Sequence, residues 1–161
     1  MSKLLLWAAL CPEGQEHDTA YRLLAEASRK VWGLSPLPEI CHAPGGKPFF
    51  QDHPQLQFNL SHSHGAVVCG LHDLPLGVDV EKLREPPERL GRGMDAPDFF
   101  HLWTGREATV KRQGLGVAAL LRAPEPDPLC RWETELLPGY VICVCPSVET
   151  EICTRSGSLS L

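Results

Sequence analysis

The stretch Gly77-Val78-Asp79-Val80-Glu81 lies near the middle of a chain of 161 residues and indicates a β-strand. Successive side chains of a strand point to opposite faces, so the two valines share one face and the two acids share the other. We expect Val78 and Val80 to face the core and Asp79 and Glu81 to face outward. Valine alternating with acid is also typical of any half-exposed strand, so a special role for this stretch needs support from the rest of the chain.

Two long helices are predicted, one before and one after this strand in the chain. The first covers about 16–32, where apolar residues recur at helical spacing, and Gly33 ends it. The second begins at an N-cap at Asp98 and runs to Gln113.

The remaining chain is predicted to form short strands and loops. Strands are expected near 3–10, 39–42, 56–60, 66–72, 76–81, 117–121, 129–136, 140–145 and 148–153. Loops are expected over 43–48, 82–97 and 123–128, with a frayed tail over 156–161.

The order strand, helix, strands therefore occurs twice, which predicts an α+β fold. We predict two pseudo-symmetric halves, residues 1–75 and 76–161, that form one integrated unit. Each half has a long helix packed on a small, mostly antiparallel sheet.

Composition excludes several classes of protein. Hydrophobic residues make up 43% of the chain, which argues against general disorder, and the formal net charge is −5. Nucleic acid or an anionic membrane surface would favour a basic face, so neither is expected as a partner. The apolar run over 4–11 is too short to span a bilayer and lacks a signal-peptide cleavage pattern, so we interpret it as a strand.

The chain contains seven cysteines, and none of them form a C-x-x-C pair. Most lie within apolar runs such as 141–145, which is typical of buried, reduced thiols. Reduced thiols indicate a reducing compartment, so a cytoplasmic location is predicted.

The acids of the central strand can bind a metal ion. Carboxylates on alternate strand residues lie about 7 Å apart at their bases and can converge on one cation. Mg²⁺ prefers oxygen ligands and usually keeps several waters.

The second predicted helix carries Trp103, Glu107 and Lys111 at intervals of four, so they line one helix face. With Arg106 and Arg112 nearby, this region suits an oligophosphate placed beside a metal-binding carboxylate. A surface ion pair next to an anchoring tryptophan would produce the same spacing.

The stretch Phe58-Asn59-Leu60-Ser61-His62-Ser63 indicates a strand that leads into a polar turn. Serine hydroxyls and the His62 imidazole can donate hydrogen bonds to phosphate oxygens. A zinc site of His62 and His64 would need further ligands that the spacing does not supply. A polar turn without function also fits.

The stretch Gly45-Gly46-Lys47-Pro48 indicates a tight loop that carries a lysine. It lacks the spacing of a phosphate-binding P-loop, and a proline follows the lysine. Alone, the tetrapeptide is typical of an ordinary loop.

In order and spacing, these four stretches together resemble the 4′-phosphopantetheinyl transferases. The motifs G-K-P, F-N-x-S-H-S, G-[IV]-D-[IV]-E and W-x-x-[KR]-E-A-x-x-K-x-x-G-x-G of that family occur here at Gly46–Pro48, Phe58–Ser63, Gly77–Glu81 and Trp103–Gly116. The resemblance spans about residues 16–145. It is to a shortened member of the larger, surfactin-synthetase-activating class, whose single chain folds as two similar halves.

The resemblance implies roles for individual residues. Asp79, Glu81 and Glu107 match positions that hold Mg²⁺ in the family. The positions that match contacts to coenzyme A are Lys47, Ser61, His62, Arg106 and Lys111 at the phosphates, Pro48 near the adenine and, in a looser alignment, Arg22 at the 3′-phosphate. Glu107, Lys111 and His62 are the implied catalytic residues.

The implied reaction is Mg²⁺-dependent transfer of 4′-phosphopantetheine from coenzyme A to a serine of an apo acyl or peptidyl carrier protein. Such carriers serve fatty acid, polyketide or nonribosomal peptide biosynthesis, and 3′,5′-ADP is released. A monomer is expected. Two alternatives stay open: a non-catalytic relative that binds coenzyme A or a carrier, and a hydrolase that cleaves the coenzyme A pyrophosphate with water.

Three departures from the family pattern stand out. Arg106 stands where the family usually has lysine. The segment between Glu81 and Trp103 is short and lacks the helical F-x-x-x-E-like pattern that helps the larger class grip its carrier, and the N-terminal region is abbreviated. These gaps concern carrier recognition more than catalysis.

Overall fold

A computed structural model describes residues 2–91, 93–122 and 124–157. Its helices are α1 Glu16–Trp32, α2 Glu88–Gly91 and α3 Ala96–Arg112, with a 3₁₀ helix over Val117–Arg122. Its strands are β1 Leu4–Leu10, β2 Ile40–His42, β3 Pro48–Phe50, β4 Gln57–Ser63, β5 Ala66–His72, β6 Leu76–Lys82, β7 Arg131–Glu133, β8 Tyr140–Pro146 and β9 Ile152–Ser156. These elements confirm the predicted α+β class.

The strands form three sheets in the orders β4-β5-β1-β9, β6-β8-β7 and β2-β3. Every pairing is antiparallel except that of β1 with β9, which is parallel. Because β9 pairs with β1, the C-terminal part of the described chain completes a sheet built from the N-terminal part. The proposed division at residue 75 and the pseudo-symmetry of the two halves remain predictions.

The four-stranded sheet is buried on both faces. On one face, Leu23 and Leu24 of α1 pack with Trp7 and Phe58. The other face packs on the sheet of β6 and β8. There, Leu6 of β1 lies in one cluster with buried aliphatic side chains of both those strands. This two-sided burial explains why β1 and β5 are continuous apolar runs rather than alternating ones.

Both long helices occur where the sequence predicts them, but the start of α3 differs. The helix α1 ends at Gly33, whose φ of 68° is the left-handed conformation predicted for that glycine. The N-cap of α3 is Asp95, whose side chain accepts a hydrogen bond from the Asp98 N–H at 3.0 Å. The prediction of Asp98 as N-cap was wrong, because Pro97 needs no hydrogen-bond acceptor in the first turn and lets the helix begin earlier.

Short elements were predicted less well. The segment predicted as a strand over 117–121 is the 3₁₀ helix, since a short apolar run does not distinguish strand from helix. Within the predicted loop 82–97 lies the short helix α2, and the unpredicted strand β3 pairs with β2 as a hairpin. The last strand, β9, begins later than predicted and extends to Ser156. Residues 158–161 of the predicted frayed tail lie outside the described residues.

All seven cysteines are free thiols, as predicted. Four of them are buried, Cys69, Cys130, Cys143 and Cys145, and the other three are partly buried. Among the helices of the described ranges, none is both long and apolar enough to cross a bilayer.

Candidate metal centre

Two acids of β6 and one acid of α3 meet between these two elements. Asp79, Glu81 and Glu107 each place a ligand oxygen within 4.8 Å of the other two. In residues 2–91, 93–122 and 124–157, no other three His, Cys, Asp or Glu side chains lie so close together, and His62 and His64 form no such group. A set of carboxylate oxygens suits a hard divalent cation.

The central strand has the predicted alternation but not the predicted exposure. Val78 and Val80 face the core between the two large sheets. Asp79, however, is only 2% exposed, and Glu81 is partly buried. The expectation that both acids face outward was wrong, because α3 packs over the acid face of β6.

The contacts of Asp79 leave one of its oxygens without a partner. Oδ1 accepts hydrogen bonds from the Lys111 Nζ at 3.1 Å and from the Ser61 Oγ at 3.0 Å. Oδ2 is buried and accepts no hydrogen bond from any residue that the structure describes. Since a buried, unpaired carboxylate oxygen is costly, this atom fits a position where a cation would bind.

The electrostatic environment of Asp79 also fits a cation-binding position. Burial raises the pKa of the Asp79 carboxyl well above its usual range, Lys111 opposes the shift, and the neighbouring Glu107 reinforces it. The single ion pair with Lys111 does not compensate for the loss of water around two close carboxylates. A bound divalent cation would favour the ionised form that metal coordination requires.

Glu81 is held by residues that were not among the predicted site residues. Its Oε2 accepts hydrogen bonds from the Arg84 Nη1 at 2.9 Å and from the Ser63 Oγ at 3.0 Å. The guanidinium of Arg84 also stacks over the Phe100 ring, 4.7 Å from its centroid. The only sequence signal for Arg84 is a basic residue three positions after an acid, which is too common to be specific.

The glycine–lysine loop packs against the end of α3. A Cβ atom on Gly45 would lie 2.2 Å from the Gly114 carbonyl oxygen, so only glycine permits this approach. The Lys47 Nζ donates to the Leu76 carbonyl oxygen at 2.8 Å. Burial, together with the charge of Arg112, lowers the pKa of Lys47 to about 8. Two motifs that are far apart in sequence thus meet at one end of β6.

Lys111 lies where the sequence predicts it, on the face of α3 that carries Glu107, and donates to the Val78 carbonyl oxygen as well as to Asp79. Arg106 instead turns to the loop after the 3₁₀ helix, where its Nε donates to the Pro124 carbonyl oxygen at 2.9 Å. Arg112, the third of the predicted basic residues, donates from its Nη2 to the Asp127 Oδ2 at 2.8 Å. Both arginines thus bind partners other than the acid group.

The other predicted contacts to coenzyme A are His62, Pro48 and Arg22. His62 is exposed and, by strand alternation, faces away from Ser61. Pro48 opens β3, opposite His42. Arg22 lines a cavity of about 580 Å³ on the α1 side of the fold, which has no lining residue in common with the acid group. The roles of these residues toward coenzyme A stay predictions.

An α+β fold that collects three acids and a lysine at a strand–helix junction defines a protein with a candidate divalent-cation centre. Sequence similarity to known proteins then shows which family the chain resembles, although no family model matches the chain. Over the matched part, the chain is a homologue of the 4′-phosphopantetheinyl transferases, as its motifs predict.

Three relatives illustrate the match. Identity is 29% to the 4′-phosphopantetheinyl transferase Sfp of Bacillus subtilis (strain 168), covering 62% of this chain and 59% of that protein. Identity is 36% to the 4′-phosphopantetheinyl transferase AcpT of Escherichia coli O157:H7, covering 64% of this chain and 61% of that protein. Identity is 25% to the 4′-phosphopantetheinyl transferase gsp of Aneurinibacillus migulanus, covering 69% of this chain and 59% of that protein. The chain thus spans about three-fifths of the length of these relatives.

Proposed function

We propose that this chain transfers 4′-phosphopantetheine from coenzyme A to a serine of an apo acyl or peptidyl carrier protein, with Mg²⁺ held by the acid group. The observation that carries the proposal is the meeting of Asp79, Glu81 and Glu107 beside Lys111. The names of the relatives, all 4′-phosphopantetheinyl transferases, support the same reaction. We infer a cytoplasmic monomer, and the seven free thiols support the reducing compartment.

The reaction breaks one phosphoanhydride bond and forms one phosphoester bond. The serine hydroxyl oxygen of the carrier attacks the β-phosphorus of coenzyme A, and 3′,5′-ADP leaves with the bridging oxygen. Glu107 accepts the serine proton, directly or through a water. When bound, Mg²⁺ supplies charge neutralisation at the pyrophosphate as the leaving group forms.

The lysines of the site have donors left for phosphate. The Lys111 ammonium has three N–H donors and uses two of them on Val78 and Asp79, so one stays available for a phosphate oxygen. The Lys47 ammonium donates to the Leu76 carbonyl oxygen at 2.8 Å and to the Arg112 carbonyl oxygen at 3.5 Å, so its third donor stays available. Both lysines therefore bind phosphate in this proposal without giving up the contacts that hold them in place.

The remaining contacts to coenzyme A are assigned by the motifs. Because the Ser61 hydroxyl donates its proton to Asp79 Oδ1, we assign the phosphate contact of this motif to His62. Pro48 lies near the adenine, and Arg22 binds the 3′-phosphate. For Arg106, the pairing with Glu125 spans 3.7 Å and Glu125 is 83% exposed. Such an exposed pair contributes little, so Arg106 can exchange it for a phosphate.

Mass spectrometry of a carrier protein tests the proposed function. The protein is incubated with coenzyme A, Mg²⁺ and a panel of apo carriers, with an EDTA-treated sample as control. A mass gain of one phosphopantetheine, lost in EDTA, is the expected result. Loss of coenzyme A with unmodified carriers would indicate a hydrolase, and unchanged coenzyme A and carriers would indicate a binding protein; either outcome would overturn the proposal.

Lys47 is expected to make coenzyme A binding depend on pH. Since the pKa of Lys47 is about 8, the side chain loses its charge as the pH rises through 8 and loses a charge-assisted bond to phosphate. We expect kcat/KM for coenzyme A to fall about tenfold between pH 7 and pH 9.5. Lys47→Arg should remove this decline, because a guanidinium stays charged.

Two further variants complete this test. Lys47→Ala should raise the KM for coenzyme A about tenfold at pH 7 with little change in kcat, as expected for a contact already made in the ground state. Lys3→Ala, which alters an exposed pair with Glu151, is the matched control and should behave as the parent protein. An unchanged KM in Lys47→Ala would contradict the assignment.

A further inference from the structure

The strands β4 and β6 belong to different sheets, yet polar side chains of β4 bind the free edge of β6. Within the described part of the chain, β6 pairs with β8 on one side only, so alternate N–H groups on its other side face no paired strand. Each of them donates to the side chain that lies 19 positions earlier in the chain: Val78 N–H to the Asn59 Oδ1 at 2.8 Å, Val80 N–H to the Ser61 Oγ at 3.2 Å, and Lys82 N–H to the Ser63 Oγ at 3.4 Å. We call Asn59, Ser61 and Ser63 the β4 ladder.

The β4 ladder is a buried arrangement. Its three side chains alternate along β4, share one face and are at most 8% exposed. Away from water, a hydrogen bond of this kind is costly to break, because both partners would be left unpaired. The constant offset of 19 positions therefore sets the register of β6 against β4. A slip by one residue would turn the acids toward the apolar core.

The two serines of the ladder also bind the acids. Each hydroxyl accepts a backbone N–H of β6 and donates its single proton to a carboxylate, Ser61 to Asp79 Oδ1 and Ser63 to Glu81 Oε2. Because a hydroxyl has only one proton, its use on the carboxylate fixes the orientation of both groups.

The other contacts to the acids fall on the same two oxygens. Lys111 also donates to Asp79 Oδ1, and Arg84 also donates to Glu81 Oε2. Oδ2 of Asp79 is buried without a partner. Among the described residues, these donors thus fall on one oxygen of each carboxylate, and Asp79 Oδ2 stays available.

We propose that Ser61 and Ser63 are positioning residues that select the metal-binding oxygens, Oδ2 of Asp79 and Oε1 of Glu81, while Asn59 holds the register of the strand. The inference rests on the Mg²⁺ centre of the proposed function. Hydrogen bonds to ligating carboxylates orient them, and their loss typically costs about 10–100-fold in metal affinity.

Titration of the metal-free protein with MgCl₂, followed by calorimetry, tests this inference without using transfer activity. Ser63→Ala and Ser61→Ala should each bind Mg²⁺ about 10–100-fold more weakly. Ser63→Thr, which keeps the hydroxyl and suits a strand, should bind within about threefold of the parent protein. The matched control is Ser28→Ala, since the Ser28 hydroxyl is also buried but has no hydrogen-bond partner among the described residues.

The outcomes separate the two proposals. Weaker Mg²⁺ binding by Ser63→Ala at an unchanged melting temperature, with normal binding by Ser63→Thr and Ser28→Ala, supports the inference. Parent-like affinity in Ser63→Ala overturns it while leaving the Mg²⁺ centre intact. Absence of Mg²⁺ binding by the parent protein at millimolar concentrations overturns the metal centre itself. If Ser61→Ala does not fold, Ser63, beside the turn to β5, still decides the question.

Discussion

Replacing Asp79 with asparagine should reduce transfer to the carrier protein by about 10³-fold or more. Asparagine keeps the shape of the side chain but removes the negative charge that would bind Mg²⁺. A metal ion that stabilises charge in the transition state is worth several kcal/mol, and each 1.36 kcal/mol corresponds to a factor of ten in rate. The rate is measured from the mass gain of the carrier with time at saturating coenzyme A.

The same substitution should leave the fold intact, although Asp79 is almost completely buried. The folded state raises the pKa of Asp79, so it binds a proton more tightly than the unfolded chain does. At neutral pH, above the usual range of aspartate, the ionised carboxyl therefore lowers stability rather than adding to it. We expect the melting temperature of metal-free Asp79→Asn to equal or exceed that of the parent protein.

Addition of Mg²⁺ gives a matched readout for Asp79→Asn. The parent protein should gain thermal stability as Mg²⁺ is added, because a ligand that binds only the folded state stabilises it. The melting temperature of Asp79→Asn should rise little when Mg²⁺ is added. A variant that unfolds at room temperature, or one that keeps parent-like transfer, would contradict the role given to Asp79.

Gly77→Ala should lower the free energy of unfolding by about 3 kcal/mol or more. A Cβ atom on Gly77 would lie 1.9 Å from the Ala108 carbonyl oxygen and 2.5 Å from the Arg112 nitrogen. Both are backbone atoms of α3, so no side chain can rotate away. The helix must then move from β6 by about 1 Å to reach the shortest Cβ distances seen in proteins.

This displacement should also disrupt the metal centre, since Glu107 lies on α3 and its two partner acids lie on β6. A misplacement of about 1 Å can reduce catalysis by about 10²-fold. Urea unfolding measures the free energy of unfolding, and MgCl₂ titration of the folded protein measures its affinity for Mg²⁺.

Gly116→Ala is the matched control for Gly77→Ala. A Cβ atom there would meet only the Gly45 carbonyl oxygen, at 3.7 Å, which is an ordinary contact. We expect its free energy of unfolding to stay within about 0.5 kcal/mol of the parent value. Equal stability of Gly77→Ala and Gly116→Ala would show that β6 and α3 do not pack as closely as described.

Local patterns predicted most of the secondary structure, and their failures have local causes. The left-handed Gly33 was predictable, since few other residues end a helix in that conformation. The start of α3 was not, because Asp95 and Asp98 are both good N-caps and only the backbone conformation distinguishes them. Short segments such as 117–122 carry too few residues for a period to be recognised.

The candidate site was predictable to the level of its motifs but not of its contacts. Spacing along a strand and along a helix placed Asp79 with Glu81 and Glu107 with Lys111. The hydrogen bonds of Arg84 and Ser63 to Glu81 had no specific sequence signal, because each depends on a partner that the fold brings near.

The amino-acid sequence by itself determined which side chains share a face, and its four motifs carry the resemblance to the 4′-phosphopantetheinyl transferases. The faces are predictable because the direction of a side chain follows from the period of its strand or helix, which is a local property. Only the tertiary structure decided that α3 covers the acid face, that the β4 ladder binds the edge of β6, and that one oxygen of Asp79 stays unpaired. These features depend on packing between distant segments, which the period of a single strand or helix does not specify.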